Sequence, residues 1–171
     1  MTTELQQNTA TARAAAGKYL SFILGRESYG IEVLKIREII RLVDITAVPQ
    51  MPQYIKGVIN LRGKIIPVID LRLRFGFAEA ATTERTCIVV VQVTAASGNS
   101  IHMGLVVDGV EEVLNISKSD IEDTPDFGSR CETEYLLGMA KVKNKVTALL
   151  DIDRVLATTT VQQLTNAEAA A

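Results

Sequence analysis

Short apolar runs, separated by turn-forming residues, follow one another along most of this chain. Val, Ile and Leu are frequent in these runs, and Gly, Asn, Ser and Arg stand between them, a pattern typical of β-hairpins. The predicted strand pairs are Tyr19–Leu24 with Tyr29–Ile31, Gly57–Leu61 with Lys64–Ile69, Cys87–Val93 with Met103–Val107, and Met139–Val142 with Val146–Leu150. The pattern therefore predicts a mainly β protein with a few short helices.

Several of these runs are apolar at successive positions, which indicates strands that are buried on both faces. Closed small barrels or packed sheets would provide such burial. Pro67 lies inside one run, and because proline cannot donate a hydrogen bond to a sheet, this strand is expected at an edge or at a bulge.

One segment, Val33–Leu42, is predicted to be a short amphipathic helix lying across a barrel. Ile36 falls on the apolar stripe of its helical wheel, where core packing is the simplest role, and Glu38 falls on the polar side. Two further short helices are expected after Asp70 and Asp151, whose carboxylates are placed to cap the first turn.

An internal repeat organises the chain. The residues Tyr54, Gly57, Lys64 and Asp70 recur without gaps, 81 positions later, as Tyr135, Gly138, Lys145 and Asp151. Upstream, Gly30 and Glu38 recur 74 positions later as Gly104 and Glu112. We expect two similar β-barrel units, at about 18–80 and 86–157, that share an apolar seam; strands could also be exchanged between them. Residues 1–17 and 158–171 are expected to be tails.

Composition excludes several classes of function. Charged residues make up 22% of the chain, the net charge is −2, and aromatic residues make up 5%, so a nucleic-acid or membrane-surface protein is not expected. No apolar run is long enough to cross a bilayer, and no signal peptide is recognisable, which predicts a cytoplasmic protein. Cys87 and Cys131 are too few for a disulfide scaffold.

Candidate catalytic chemistry is sparse. His102 is the single histidine, so a histidine-based triad or a multi-histidine metal site cannot form within one chain. The acidic residues Asp108, Glu111 and Glu112 lack the spacing of a calcium loop, and no phosphate-binding glycine motif is present. We expect no enzyme activity, no metal and no cofactor.

A local excess of positive charge is the remaining polar feature. Between Lys56 and Arg74 there are five basic residues and one acidic residue, and Arg62 with Gly63 forms the predicted tip of a hairpin. This segment is either an ordinary solvated rim or a docking patch for a partner that carries carboxylates.

The segment Pro52–Arg72, which reads PQYIKGVINLRGKIIPVIDLR, resembles the signature of the CheW family of chemotaxis coupling proteins. The opening Tyr19–Gly25, the stretch Tyr29–Ile39, and the later Gly104–Val110 and Glu134–Gly138 also resemble that family, so the likeness covers about residues 18–156. The resemblance implies two five-stranded SH3-like barrels around a shared seam. It further implies a non-enzymatic adaptor that couples transmembrane chemoreceptors to the histidine kinase CheA.

The resemblance also implies partners and sites. Receptor contact, with the cytoplasmic receptor tip, would involve Ile36, Glu38, Gly57 and Arg62; contact with the CheW-like regulatory domain of CheA would lie near Leu42 and Val43. The protein would be monomeric when free and would join arrays with its partners at receptor clusters. Two alternatives stay open: a chemosensory pathway with a non-flagellar output such as pili, and a small-molecule-binding β-barrel.

Overall fold

The computed structural model describes residues 15–77, 81–94, 98–122 and 135–156. Most of both predicted tails, as well as Cys131 and Glu134, lie outside the described residues. The strands are β1 Gly17–Leu24, β2 Glu27–Glu32, β3 Ile36–Arg41, β4 Ile55–Leu61, β5 Lys64–Asp70, β6 Cys87–Thr94, β7 Ser100–Val107, β8 Gly109–Ile116, β9 Ile121–Glu122, β10 Leu136–Val142 and β11 Lys145–Leu150. The helices are α1 Leu71–Arg74 and α2 Ile152–Val155, and Val33–Lys35 and Lys118–Asp120 form 3-10 turns.

The strands form two sheets that do not follow the halves of the sequence. One sheet has the order β8-β1-β2-β11-β10-β9, and the other has the order β3-β6-β7-β5-β4. We call the barrel built on β3–β7 barrel 1 and the barrel built on β1, β2 and β8–β11 barrel 2. The first two strands of the chain thus belong to the same sheet as the last two, and the predicted division at 18–80 and 86–157 does not describe the sheets.

Three apolar cores explain why the strands are hydrophobic on both faces, as predicted. One face of each sheet surrounds its own barrel interior, with Ile59, Ile66 and Val90 in barrel 1 and Leu114 and Leu149 in barrel 2. The opposite faces pack against each other in a larger seam. Its buried members include Leu20, Phe22, Leu24, Ile69, Val89, Val91, Met103, Leu105 and Leu150.

The internal repeat is confirmed in the backbone. Asp70 donates its N–H to the Tyr54 carbonyl at 2.8 Å, and Asp151 donates to the Tyr135 carbonyl at the same distance. In the parallel pairing of β5 with β7, Val68 is opposite Gly104; in that of β11 with β2, the equivalent Leu149 is opposite Gly30. The two helix caps are also confirmed: the Asp70 carboxylate accepts from the Arg72 N–H at 2.9 Å, and the Asp151 carboxylate accepts from the Arg154 N–H at 3.3 Å.

The predicted helix at Val33–Leu42 is wrong. Only Val33–Lys35 is helical, as a 3-10 turn, and β3 pairs antiparallel with β6. A bulge between Ile36 and Glu38 breaks the strict alternation of apolar residues. The spacing of the apolar residues in this segment therefore resembles that of an amphipathic helix. β-branched Ile at three of the six positions of β3 suits a strand better than a helix.

Pro67 lies in an interior strand, so the expected edge position is also wrong. β5 is flanked by β4 and β7, but its pairing with β7 begins only at Val68. Pro67 therefore precedes the ladder in which its missing N–H would be costly. The bulge allowed by the prediction is present nearby, in β4 between Ile55 and Gly57.

Candidate partner-binding surface

The hairpin between β4 and β5 presents Arg62 to solvent. Arg62 and Gly63 both have positive φ, at 52° and 87°, which is the geometry of the tight turns that join antiparallel strands. The Asn60 side chain accepts a hydrogen bond from the Gly63 N–H at 2.9 Å and holds the turn. The Arg62 side chain is 75% exposed, as the sequence predicted for a hairpin tip.

Arg62 reaches across barrel 1 to Glu38 on β3. The two guanidinium nitrogens donate to the two carboxylate oxygens at 2.6 and 2.9 Å, a bidentate ion pair. The hydrogen bonds from Arg62 lower the pKa of Glu38, and the Glu38 carboxylate raises the pKa of Arg62. Two residues predicted to act at one site are therefore in direct contact.

Exposed apolar side chains lie beside this pair in sequence. Ile39, next to Glu38, is 45% exposed, and Ile65, three positions after Arg62, is 55% exposed. Ile39 lies in the segment that was predicted to be a helix, and its exposure was not predicted. Because successive side chains of a strand point to opposite faces, Ile39 and Glu38 lie on opposite sides of β3.

Ile36 and Gly57, the other residues expected to contact a receptor, have structural roles. Ile36 is half-buried and packs against the seam core, consistent with the core role that its position suggested. Gly57 is buried with φ of 140°, and a Cβ there would lie 1.9 Å from the Thr46 carbonyl oxygen. Thr46 and Val58 exchange two backbone hydrogen bonds of 2.9 Å at this point, so only glycine permits the approach.

Leu42 and Val43 follow β3 and differ in exposure. Leu42 is half-buried and packs against the interior of barrel 1, whereas Val43 is 46% exposed. Of these two predicted kinase contacts, Val43 is the side chain available to a partner.

The basic segment 56–74 does not form one continuous docking patch. Arg72 is buried and pairs with Asp70 at 2.8 Å and with Asp108 at 2.9 Å, and these partners raise its pKa. Arg74 is half-buried, with its guanidinium 5.4 Å from the ring centre of Tyr54 and 4.8 Å from that of Tyr135. Asp70 is only two residues from Arg72, but the contacts with Asp108 and Tyr135 could not be predicted from the sequence, because these partners come from distant parts of the chain.

Barrel 2 repeats the surface pair with different chemistry. Glu112, the counterpart of Glu38, accepts from Lys143 at 2.8 Å, and Lys143 is the counterpart of Arg62. Lys143 and Asn144 also both have positive φ. Val113 and Val146, the counterparts of Ile39 and Ile65, are exposed as well. The two barrels thus present related outer surfaces, one with a bidentate guanidinium and the other with a single ammonium group.

The acidic residues Asp108 and Glu111 accept hydrogen bonds from neighbouring side chains and backbone. Asp108 accepts from Arg72 and from the Gly25 N–H at 2.7 Å. Glu111 accepts from Ser21 at 2.7 Å, from Ser28 at 2.8 Å and from Lys145 at 3.1 Å. Among the residues that the structure describes, no group of three His, Cys, Asp or Glu side chains could hold a metal ion. In the same ranges, no helix is long and apolar enough to span a membrane.

Together, the two sheets and the apolar cores that fill them define the class of this protein, a double-barrel β fold with charged and apolar groups on the outer surfaces of both barrels. Comparison with known proteins then gives the family. A family profile described as "CheW-like domain" matches residues 18–160, so the chain belongs to the CheW family.

Curated relatives and a solved structure agree with this assignment. A "Chemotaxis protein CheW" of Klebsiella aerogenes is 38% identical over 86% of this chain and 89% of its own length. Another of Rhizobium meliloti is 34% identical over 80% of this chain and 84% of its own length. The crystal structure of the scaffolding protein TtCheW from Thermoanaerobacter tengcongensis superposes with a TM-score of 0.73 at 34% identity, covering 85% of this chain and 95% of that one.

Proposed function

We propose that this chain is a non-enzymatic adaptor that couples the cytoplasmic tips of transmembrane chemoreceptors to the histidine kinase CheA. The relatives named above are chemotaxis and scaffolding proteins of the same family and of similar length. The observation that carries the proposal is the Glu38–Arg62 ion pair, whose Arg62 side chain is exposed at a hairpin tip. Such an adaptor would act in the cytoplasm and be recruited to receptor clusters.

The receptor tip would bind the Glu38–Arg62 surface of barrel 1. Arg62 would offer its guanidinium to the partner, since an exposed ion pair can be exchanged for an intermolecular one at little cost. Ile36 and Gly57 would contribute by supporting this surface from beneath, since both are packed and not available to a partner.

The regulatory domain of CheA would bind a different part of barrel 1, next to Val43. Leu42 would hold this segment on the barrel through its packing, and Val43 would make the contact. A second contact, made through barrel 2, would allow the adaptor to join extended arrays of receptor and kinase.

Titration of separate receptor and kinase fragments tests the proposal. Arg62→Ala should weaken binding of a receptor-tip fragment by about fivefold or more, and Arg62→Glu should weaken it further, because the charge is reversed at the centre of the contact. Kinase-domain binding should be unchanged. Val43→Asp should weaken binding of the kinase domain and leave binding of the receptor-tip fragment unchanged.

Lys143→Ala is the matched control, since it removes the equivalent cation from the equivalent turn of barrel 2. The melting temperature of each variant should stay within about 3 °C of the parent, as expected for exposed side chains. Unchanged receptor affinity in Arg62→Ala, or equal losses in Arg62→Ala and Lys143→Ala, would contradict the assignment to barrel 1.

A further inference from the structure

A polar cleft opens at the mouth of barrel 1, beside the Glu38–Arg62 pair. It consists of two adjoining cavities of about 370 and 270 Å³ that share Lys64, Ile66 and His102. Arg37 and Arg62 border the first cavity, and Ile66 and Val90 belong to the buried interior of the barrel beneath it.

Positive charge dominates the walls of this cleft. Arg37 comes from β3, Lys64 from β5 and His102 from β7, so three strands direct basic groups to one place. Glu38 is the one acidic residue among the lining residues, and Arg62 engages both of its oxygens. Within the described ranges, neither Arg37 nor Lys64 has a carboxylate partner; Arg37 donates to the Gln92 side-chain oxygen instead.

Arg37 and Lys64 also act on His102. The pKa of His102 is lowered first by burial and then by the positive charges of Lys64 and Arg37. Arg62 and Glu38 face the same cavity but neutralise each other. Among the described residues, Arg37 and Lys64 are therefore two like charges in one cleft, neither of them paired with a carboxylate.

We propose that this cleft binds an acidic segment of a partner protein, with carboxylates placed between Arg37, Lys64 and His102. Aliphatic floor residues below charged walls suit a Glu side chain, whose methylene groups can rest on Ile66 and Val90 while its carboxylate meets the cations. The proposal does not depend on the receptor being that partner. It is a property of this cleft, separate from the exchange of the Arg62 ion pair.

The single histidine makes the test direct, because one imidazole signal reports on the cleft. The probes are a synthetic Glu-rich peptide and the same peptide with Gln at every Glu position, titrated into the full chain while the His102 signal is followed by NMR. The Glu peptide should bind, raise the pKa of His102 and bind more tightly as the pH falls below about 6.5. Binding should weaken strongly between about 0.05 and 0.5 M salt, where screening increases. The Gln peptide should do none of this.

Charge-removing variants locate the site. Arg37→Gln and Lys64→Gln should each reduce affinity for the Glu peptide by about two- to fivefold, the usual range for an exposed ion pair. Lys118→Gln, which removes an exposed lysine of the 3-10 turn after β8, is the matched control and should leave affinity unchanged.

Equal binding of the Glu and Gln peptides, or equal losses in Lys64→Gln and Lys118→Gln, would overturn the inference. A short single-stranded oligonucleotide that bound more tightly through the same residues would also overturn the assignment to a protein segment. If the Glu peptide does not bind the cleft but the receptor fragment binds in an Arg62-dependent way, the cleft inference is wrong and the coupling proposal is unaffected. If the Glu peptide binds the cleft but binding of the receptor fragment does not depend on Arg62, the cleft inference holds and the receptor assignment is wrong.

Discussion

Gly57→Ala provides a quantitative test of how barrel 1 is closed. The added Cβ would lie 1.9 Å from the Thr46 carbonyl oxygen, whereas a normal contact needs more than 3.0 Å, so the Thr46 segment must move by more than 1 Å. That movement breaks the two hydrogen bonds between Thr46 and Val58, each worth about 1 kcal/mol. A residue other than glycine at φ of 140° adds about 1–3 kcal/mol of backbone strain. The expected loss of unfolding free energy is therefore about 3–5 kcal/mol.

Gly63→Ala is the matched control. Its φ of 87° also disfavours alanine, but a Cβ there would meet nothing within 4 Å, so only the backbone cost of about 1–2 kcal/mol should remain. Urea unfolding of the parent and both variants gives the difference in unfolding free energy. The dependence of that free energy on urea concentration should be the same in all three proteins. If Gly57→Ala and Gly63→Ala lower the unfolding free energy by amounts within about 1 kcal/mol of each other, the Thr46 segment moves at little energetic cost and the reasoning is refuted.

Three further outcomes are expected. Arg72→Met should lower the unfolding free energy by about 3–5 kcal/mol, because Asp70 is left buried without its cation; a urea midpoint close to that of the parent would contradict this. The pKa of His102 is lowered on folding, so the unfolded chain binds more protons and stability should fall as the pH drops below about 6.5. His102→Gln should flatten that part of a stability–pH curve, and an unchanged slope would exclude His102 as its source. Deleting residues 1–15 or 166–171 should leave affinity for the kinase domain unchanged, and a tenfold loss by calorimetry would place part of the interface in a tail.

Local patterns in the sequence predicted much of the fold because hairpins and helix caps are decided by neighbouring residues. Arg62–Gly63 and Lys143–Asn144 identified two turns, and Asp70 identified a helix start. The repeat predicted the double-barrel architecture. The sequence did not predict β3, since the bulge at Ile36 moves one side chain to the other face and disturbs the period of two on which strand recognition rests.

The site was predictable only where a role depends on exposure at a turn. Arg62 fits that case. Its assignment to one site with Glu38 came from the resemblance, whereas the ion pair between them was not predicted. Arg72 belongs to the same basic segment as Arg62 and Lys64, but Asp108, one of its two carboxylate partners, is 36 residues away. Likewise, the need for glycine at position 57 arises from Thr46, which approaches only in the folded barrel. Contacts between distant segments decide such roles, and no local pattern reports them.

The ion pairs beside the two helices show how the repeated units diverged. Arg72 of α1 pairs with Asp108 at 2.9 Å, while the equivalent position in α2 is Asp153, which pairs with Lys35 at 2.7 Å. The helix positions are equivalent but their partners are not, since Lys35 aligns with Gly109 and Asp108 aligns with Leu34. The charge at this helix position therefore changed together with the place from which its partner comes. The outer surfaces changed less, because each keeps an ion pair of the same polarity, with Arg62 on one barrel and Lys143 on the other. Two barrels of one architecture therefore present a guanidinium at one surface and an ammonium group at the other.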